Sequence, residues 1–161
     1  MAKPKTPAAS AITTRYLLMP DHANGLNTAF GGVIMSWIDI VAAMVAQRHC
    51  EGIVVTASID SLSFKAPIRI GDHVVLKASV NYVGTTSMEV GVRVEKENPM
   101  TGKTRHTTTA YLTFVHLDEN QKRVAVPELK PETRDEIRRY KNARLRTEAR
   151  KELITRIHEN N

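Results

Sequence analysis

Apolar residues repeat at helical spacing in one long segment of the chain. Within residues 33–46 only Ser36 and Asp39 are polar, and the apolar residues fall on every face of a helix. This pattern predicts a helix over about 31–50 that is buried all round and is terminated by Gly52. A carboxylate such as Asp39 is costly there unless it is hydrogen-bonded, paired or placed beside a functional site.

Outside this helix the apolar period changes from 3.6 to 2 residues, which is typical of strands with one buried face. We predict one short strand ahead of the helix and four after it, over about 13–19, 53–64, 74–83, 88–95 and 105–117. Turn residues join the later strands at hairpin lengths, which favours an α+β fold with an antiparallel sheet of about five strands. One sheet face cannot cover a helix that is apolar on all sides, so we expect an obligate dimer or a larger assembly.

The length of 161 residues suits one domain with a sizeable core. We assign residues 1–11 to a flexible tail, 12–127 to the domain and 128–161 to a basic helical extension. The tail lacks the apolar region of a secretory signal, and no apolar stretch is long enough to span a bilayer. The one cysteine, Cys50, excludes an internal disulfide, fits a packing role and indicates a reducing compartment, so we expect a cytoplasmic protein.

Most of the net charge of +6 comes from the C-terminal extension. Between Glu132 and Arg156, nine Lys or Arg stand against five Asp or Glu. No zinc-ligand spacing, helix-turn-helix pattern or aromatic-basic RNA motif accompanies them, so nucleic acid is not an expected partner. The favoured interpretation is a solvated helix with intrahelical ion pairs, while a polyanion-binding arm and attraction of a polyphosphate ligand stay open. Two such pairs would be Glu148 with Lys151 and Glu152 with Arg156.

The same helix carries few large apolar residues. They predict one narrow contact stripe that docks on its own or a neighbouring subunit, leaving the Arg and Lys face in solvent. The members of this predicted stripe are Ile137, Tyr140, Leu145, Leu153, Ile154 and Ile157.

The start of the long helix carries the candidate chemistry. Gly31 and Gly32 open the helix, where backbone N–H groups lack intrahelical partners and are free to bind an oxygen that carries negative charge. Asn24, in the preceding loop, is either an ordinary turn residue or an amide that donates to a carbonyl or positions a water. Asp39 is either a functional acid or a structural hydrogen-bonding group. An acid inside the helix and an anion site at its start indicate acyl chemistry.

Several other chemistries lack their sequence signals. The six histidines show no metal-ligand spacing with Asp, Glu or Cys, so we expect neither a metal nor a cofactor. His22 fits a loop histidine better than a catalytic base. G-x-S-x-G, P-loop and G-x-G-x-x-G motifs are absent, which argues against serine hydrolases, NTPases and Rossmann dehydrogenases.

An ordered set of short motifs over about residues 12–127 resembles the hotdog-fold acyl-CoA thioesterases. The similar subfamily includes bacterial cytosolic acyl-CoA hydrolases of broad chain-length range and the brain-type enzymes. The motifs are Asn24, Phe30-Gly31-Gly32, Met35, Asp39, Val54-Val55-Thr56, Phe64-Lys65-Ala66-Pro67-Ile68, Gly71-Asp72, Gly84-Thr85-Thr86-Ser87 and Ala110-Tyr111-Leu112-Thr113-Phe114-Val115.

The resemblance implies a helix wrapped by an antiparallel sheet, paired hotdogs often assembled as trimers of dimers, and active sites between subunits. It implies hydrolysis of acyl-CoA to a free acid and coenzyme A, with Asp39 as the catalytic acid, either general base or nucleophile. Asn24 of the partner subunit would orient the water or the thioester. Backbone N–H groups near Gly31 and Gly32 would hold the thioester oxygen.

Two further expectations come from this resemblance. Relatives commonly have glycine three residues after the catalytic asparagine, where this chain has Asn27. Because asparagine tolerates left-handed backbone better than most residues, we expect the loop to be retained. Coenzyme A carries several negative charges and suits a basic rim, for which the candidates are Lys65, Arg93 and Lys96, together with the backbone and hydroxyls of Thr85, Thr86 and Ser87.

Two alternatives stay open. A hotdog hydratase or dehydratase acting on acyl thioesters usually needs a histidine paired with an acid near the helix start, and no histidine lies between Ala23 and Arg48. The second alternative is a non-catalytic acyl-CoA-binding regulator whose basic helix contacts nucleic acid or another protein.

Overall fold

Five antiparallel strands form one sheet that packs against a long central helix. The computed structural model describes residues 3–159. The strand order is β1-β3-β4-β5-β2, and every neighbouring pair is antiparallel. The predicted α+β architecture is therefore confirmed. In chain order the elements are α1 (Pro7–Ser10), β1 (Ile12–Leu17), a 3-10 turn (Pro20–His22), α2 (Gly31–Cys50), β2 (Ile53–Ile59), β3 (His73–Val83), β4 (Ser87–Glu97), β5 (Thr104–Leu117) and α3 (Arg134–Glu159).

One face of the sheet and one side of α2 make the hydrophobic core. The alternating apolar residues of β3, β4 and β5 point at the helix, as the period of 2 predicted. Trp37 of α2 stacks on Tyr16 of β1 with ring centroids 4.4 Å apart, and His22 meets the same indole edge-on at 5.1 Å. These contacts fix β1 and the loop before α2 against the first half of the helix. Fully buried core residues include Ile34, Ile38, Val41, Val45, Leu76, Val80, Val90, Val92, Leu112 and Phe114.

The expectation that α2 is buried on all sides is wrong for the single chain. Met35, Ile40 and Met44 are 42%, 51% and 41% exposed and lie within the half of the helix that faces away from the sheet, so we call them the uncovered stripe. The sheet covers only the opposite side of the helix. An apolar pattern shows which positions avoid water, but it does not show which neighbour covers them.

Two predicted element ends are corrected. The second strand ends at Ile59 rather than near residue 64, because the segment after it keeps only isolated hydrogen bonds to β5. The left-handed residue that ends α2 is Glu51, with φ 53°, and not Gly52. Gly52 is small for another reason, since a Cβ there would lie 2.6 Å from Nε2 of His116.

Residues 3–11, expected to belong to a flexible tail, are instead in contact with the domain. The Lys5 N–H donates to the Glu128 carbonyl, and the Lys130 N–H donates to the Lys5 carbonyl, both at 2.8 Å. Helix α1 begins at Pro7, and the fixed φ of proline suits the first helical turn. Ser10, at the end of this helix, is buried. Met1 and Ala2 lie outside the described residues. No helix within residues 3–159 is both long and apolar enough to cross a membrane.

The C-terminal helix α3 lies on the outer face of the sheet, opposite α2, and is held there by polar side chains. The Arg146 guanidinium donates to both carboxylate oxygens of Glu89, at 2.7 and 3.1 Å, and lies 3.6 Å from the ring centroid of Tyr111. One turn later, Arg150 donates to Asp60 at 3.0 Å and to Thr113 at 2.8 Å. The outer sheet face carries buried Glu89, and a buried carboxylate needs a partner, so the helix docks through arginines.

Two expectations about α3 are therefore corrected. Its Arg and Lys face is not left wholly in solvent, and the predicted apolar stripe is not what holds the helix on its own sheet. Docking of that stripe on a neighbouring subunit stays a prediction. Of that stripe only Tyr140 packs, edge-on against Tyr82 at 5.2 Å. Of the two predicted ion pairs, Glu152 with Arg156 is present at 2.5 Å, whereas Glu148 pairs with Arg144. The exposed stripe members are Ile137, Leu145, Leu153, Ile154 and Ile157.

Candidate active site

The N-terminus of α2 presents backbone N–H groups without partners. The helix begins at Gly31 after Phe30, which provides no side-chain cap. The first N–H groups that bond back belong to Val33 and Ile34, both to the Phe30 carbonyl. Among residues 3–159 no acceptor pairs with the N–H of Gly31 or Gly32. Free N–H groups at the positive end of a helix dipole stabilise an oxygen that gains negative charge.

The loop before the helix is organised by Asn24. Its side-chain Oδ1 accepts hydrogen bonds from the N–H of Leu26 at 2.9 Å and from the N–H and Oγ1 of Thr28 at 3.3 and 3.2 Å. Asn27 adopts the left-handed backbone that we expected, with φ 57°. The oxygen of Asn24 is therefore a turn-forming group, while its NH2 has no acceptor among the described residues. Both interpretations of this residue are compatible with the geometry.

The Asp39 carboxylate is half-buried and has one protein partner. Its Oδ1 accepts a hydrogen bond of 2.8 Å from Oγ1 of Thr56, on edge strand β2. The ladder between β2 and β5 shifts register between Thr56 and Ser58, and such irregularities commonly re-aim a side chain near a functional site. The sequence around Thr56 carries no functional signal, because a threonine in a β-branched run looks like an ordinary strand residue.

Asp39 and the free amides at the helix start lie on the same side of α2 but not close together. Gly32 precedes Asp39 by two helical turns, which places them about 10 Å apart along the axis. A single thioester carbonyl cannot touch both groups within one chain. Within one chain the candidate groups therefore form two separate sets, with Asn24, Gly31 and Gly32 in one set and Asp39 and Thr56 in the other.

A cavity of about 360 Å³ lies beside the helix start. This volume falls within the range of small-molecule pockets, and the lining is mostly apolar. It includes Lys65, and it also includes Pro67, whose carbonyl accepts a hydrogen bond of 2.8 Å from Lys96 Nζ. Two of the basic-rim candidates, Lys65 and Lys96, are thus brought towards Gly31.

The other coenzyme A candidates lie elsewhere in the chain. Arg93 is on the outer face of the sheet. The carbonyls of Thr85 and Thr86 accept hydrogen bonds from Val126 and His116, and His116 lies beside Gly52 at the far end of α2. That helix has 20 residues and is about 30 Å long, so Thr85, Thr86 and Ser87 do not share a site with the helix start of the same chain. Their role stays a prediction.

Cys50 and His22, which could in principle act as a nucleophile and as a base, both have the surroundings of structural residues. Cys50 is buried at the end of α2, and burial raises the pKa of its thiol to about 12, so a reactive thiolate is not available. His22 accepts a hydrogen bond of 3.1 Å from the Met19 N–H on Nδ1 and packs against Trp37. Both fit the packing and loop roles expected for them.

Known proteins of similar sequence belong to one family of enzymes. Residues 26–103 match the family described as the thioesterase superfamily. An uncharacterised acyl-CoA thioester hydrolase of Bacillus subtilis is 48% identical over 142 residues, which cover 88% of this chain and 83% of that protein.

Two solved structures share nearly the whole fold. An apo-hexameric acyl-CoA thioesterase superposes with a TM-score of 0.92 at 40% identity, covering 95% of this chain and 98% of that one. The acyl-CoA hydrolase of Staphylococcus aureus, solved with butyryl coenzyme A, coenzyme A and coenzyme A disulfide, gives 0.90 at 36% identity, covering 97% and 95%. That hydrolase has also been solved as alanine variants of an asparagine, an aspartate and a threonine, at positions separated by 15 and then 17 residues. Sequence and structure together show that this chain belongs to the thioesterase superfamily and has the hotdog fold.

Proposed function

We propose that a site shared between two copies of this chain hydrolyses acyl-CoA thioesters to a free carboxylic acid and coenzyme A. Acyl-CoA hydrolysis is the activity named for relatives that match nearly the full length of the chain. One observation carries the shared site: the Asp39–Thr56 pair and the free amides of Gly31 and Gly32 are two helical turns apart in one chain. A partner must bring the complementary half.

The surfaces around Asp39 support a homodimer. The uncovered stripe runs along the same side of α2, with Ile40 next to Asp39 and 51% exposed. Strand β2 is a sheet edge whose Ile53 and Val55 are also exposed, at 49% and 44%, and an unpaired edge of this kind is a ready surface for a second chain. We place the partner on these surfaces. A trimer of dimers is the assembly we favour, since the apo thioesterase above is described as hexameric.

In the proposed mechanism, Asp39 either takes a proton from a water that attacks the thioester carbon or attacks that carbon itself. The Thr56 hydroxyl donates to one carboxylate oxygen and so holds the other one towards the substrate. Asn24 of the partner subunit donates its amide hydrogen to the water or to the carbonyl. The order and spacing of Asn24, Asp39 and Thr56 match those of the three altered residues in the Staphylococcus hydrolase, which supports these roles.

The amides of Gly31 and Gly32 then stabilise the negative charge that develops on the carbonyl oxygen. Donors of this kind typically contribute about 100- to 1000-fold in rate. The tetrahedral intermediate collapses by breaking the carbon–sulfur bond. On the water route this releases the acid, and the leaving thiolate takes the proton that Asp39 removed from the water. On the direct-attack route it leaves an acyl anhydride on Asp39, and a water then hydrolyses this anhydride, which releases the acid, restores the carboxylate and supplies the proton of the thiol. These steps use protein groups, water and substrate. The free, buried Cys50 fits a reducing compartment, and we place the protein in the cytoplasm.

The decisive experiment is a thiol-release assay of Asp39→Asn with a panel of acyl-CoA substrates. The variant should fold and assemble normally, and kcat should fall about 100- to 10,000-fold, because the amide is neither a base nor a nucleophile. Asp135→Asn, an exposed carboxylate on α3, is the matched control and should keep wild-type turnover. Full turnover in an assembled Asp39→Asn protein would remove Asp39 from the mechanism. Tight acyl-CoA binding without turnover by the unaltered protein would support the non-catalytic regulator instead.

A further inference from the structure

The cavity beside the start of α2 has a closed, apolar floor. Ile34, Ala66 and Ile68 line it and are each no more than 4% exposed. Ile34 and Ile68 also belong to the hydrophobic core, whereas Ala66 is not part of the core cluster that residues 3–159 form. A larger side chain at Ala66 would therefore extend into the cavity rather than into the core.

The outer edge of the cavity lies on the solvent side. Phe64, Lys65 and Pro67 line it there and are all exposed. Lys65 is the one charged residue among the described residues of the lining, and because it is exposed, its ammonium group can stay in water. The cavity thus runs from a solvent-exposed edge to an apolar end.

Several polar groups of the lining already have protein partners. Thr28 Oγ1 donates to Asn24 Oδ1 at 3.2 Å. The Ile68 carbonyl accepts from the Ala29 N–H at 2.8 Å, and the Pro67 carbonyl accepts from a lysine side chain. A ligand with amide or hydroxyl groups would find few partners here, and burying such groups unpaired is costly. The cavity therefore suits an apolar ligand.

Gly31 links this cavity to the amides that hold the thioester oxygen in the proposed function. It lines the cavity, and its N–H has no acceptor among residues 3–159. A thioester held at this N–H extends in two directions from its carbonyl. The acyl chain is apolar, whereas the pantetheine arm of coenzyme A carries amide groups and leads to charged phosphates. Of the two, the acyl chain matches the lining.

We propose that this cavity receives the acyl chain of the substrate and that Phe64 limits the length of chain that fits. The inference rests on the proposed function, since it takes the Gly31 amide as a ligand of the thioester oxygen. Phe64 has the largest side chain of the lining and is 47% exposed. Its ring lies against the helix start, with Cε2 3.6 Å from the position that a Cβ on Gly31 would take.

The size of the cavity indicates short and medium-length acyl chains. A water molecule takes up about 30 Å³ in the liquid, and a methylene group is of similar size, so about 360 Å³ holds roughly a dozen carbons at most. An octanoyl chain fits within this space. A palmitoyl chain does not, and its outer methylene groups have to pass Phe64 or remain in water.

The test compares kcat/KM for butyryl-, octanoyl- and palmitoyl-CoA in variants that widen or fill the cavity. Phe64→Ala should raise the palmitoyl-to-octanoyl ratio about tenfold, the gain from burying about two more methylene groups. Ala66→Leu should lower the octanoyl-to-butyryl ratio by a similar factor, because the added side chain occupies the apolar end. Leu153→Ala, which removes a side chain of 58% exposure from α3, is the matched control and should leave both ratios unchanged. Thermal unfolding shows whether each variant is folded, and Phe64→Ala, at an exposed position, remains informative if Ala66→Leu is not.

Calorimetric binding to Asp39→Asn distinguishes this inference from the proposed function. Adding Phe64→Ala should tighten palmitoyl-CoA binding about tenfold and leave the affinity for free coenzyme A unchanged. If the protein does not hydrolyse acyl-CoA, this binding decides, and if Asp39→Asn still hydrolyses it, the kcat/KM ratios decide. An unchanged ratio in folded Phe64→Ala or Ala66→Leu would overturn the proposal. Equal changes in affinity for palmitoyl-CoA and free coenzyme A would also overturn it, because they place the pantetheine arm in the cavity.

Discussion

The two long helices pack on opposite faces of the same sheet and are held there by different interactions. Helix α2 is anchored by apolar side chains such as Ile38 and Val41, each no more than 1% exposed. Helix α3 is anchored by the Arg146–Glu89 and Arg150–Asp60 ion pairs. Apolar packing is non-directional, whereas a buried ion pair depends on both partners being present and aligned.

This difference decides where chemistry is possible. Helix α2 packs on the sheet through apolar contacts, so its polar groups are not needed for packing and can interact with a ligand. Those groups are Asp39 and the free amides of Gly31 and Gly32. On α3, the inward-facing charged groups Arg146 and Arg150 are already engaged with the sheet. The proposed catalytic groups therefore lie on the helix whose packing does not depend on charge.

The largest effect on assembly and turnover should follow from placing a charge in the uncovered stripe. Ile40→Glu places a charge on a surface that is exposed in one chain but covered in the proposed dimer, where an unpaired carboxylate is strongly unfavourable. We expect a folded monomer by sedimentation, with turnover reduced more than about 100-fold because each chain holds only half of a site.

The matched control for that substitution is on the other helix. Leu153→Glu replaces an apolar residue of α3 that is 58% exposed, and we expect the dimer and its turnover to persist. An Ile40→Glu protein that stays dimeric and active, or a Leu153→Glu protein that dissociates into monomers, would reverse the roles that we assign to the two helices.

The next effect concerns the ion pair under α3. Arg146→Ala leaves the Glu89 carboxylate, which is 2% exposed, buried without its cation. Removing one partner of a buried pair typically costs about 3–5 kcal/mol, and we expect a loss in the free energy of unfolding near the lower figure because Arg146 is itself partly exposed. Denaturant unfolding measures it. The exposed control Arg144→Ala should change stability by less than about 0.5 kcal/mol.

A second substitution distinguishes the effect of losing the ion pair with Glu89 from the effect of losing the packing contacts of Arg146. Adding Glu89→Gln to Arg146→Ala removes the unpaired charge, and part of the stability should return. If the double variant is no more stable than Arg146→Ala, the guanidinium acts through its contact with the Tyr111 ring rather than through charge.

The same contrast explains what the sequence could predict. The bounds of α2 and the existence of all five strands follow from short-range periodicity, and Asp39 was conspicuous because it interrupts an apolar helix. The docking of α3 could not be predicted, because Arg146 and Glu89 are 57 residues apart and Arg150 and Asp60 are 90 apart. A charged residue such as Glu89 in an alternating strand has the pattern of a solvent-facing position, and only the covering helix makes it buried.

The candidate site was partly predictable for a related reason. Asn27 was expected to be left-handed from its residue type and is so. Thr56 was missed, because its partner Asp39 is 17 residues away on another element and the local sequence is that of any strand. Local sequence rules therefore predict the conformation of single residues, whereas the pairing of residues on different elements can be seen only in the folded structure.

A smaller effect is expected from Thr56→Val. The substitution keeps the shape of the side chain but removes the hydroxyl that holds Asp39 Oδ1. Losing one hydrogen bond to a charged group corresponds to about tenfold, so kcat should fall by roughly that factor with little change in KM. Ser58→Ala on the same strand is the control and should leave kcat unchanged. A wild-type kcat for Thr56→Val would show that Asp39 is oriented by other groups.

The smallest effect should come from removing the end of α3. Residues 151–159 are all exposed, so truncation after Glu152 removes no buried contact and leaves Arg146 and Arg150 in place. We expect the free energy of unfolding to change by less than about 0.5 kcal/mol, with kcat unaltered. Truncation after Leu129, by contrast, deletes both anchoring arginines, the buried Ala143 and the contact of Tyr140 with Tyr82, so it should lower the free energy of unfolding clearly more. If the shorter deletion is as damaging as the longer one, the exposed end of α3 is held by a neighbouring chain, and the contrast between the helices applies to a single chain but not to the assembly.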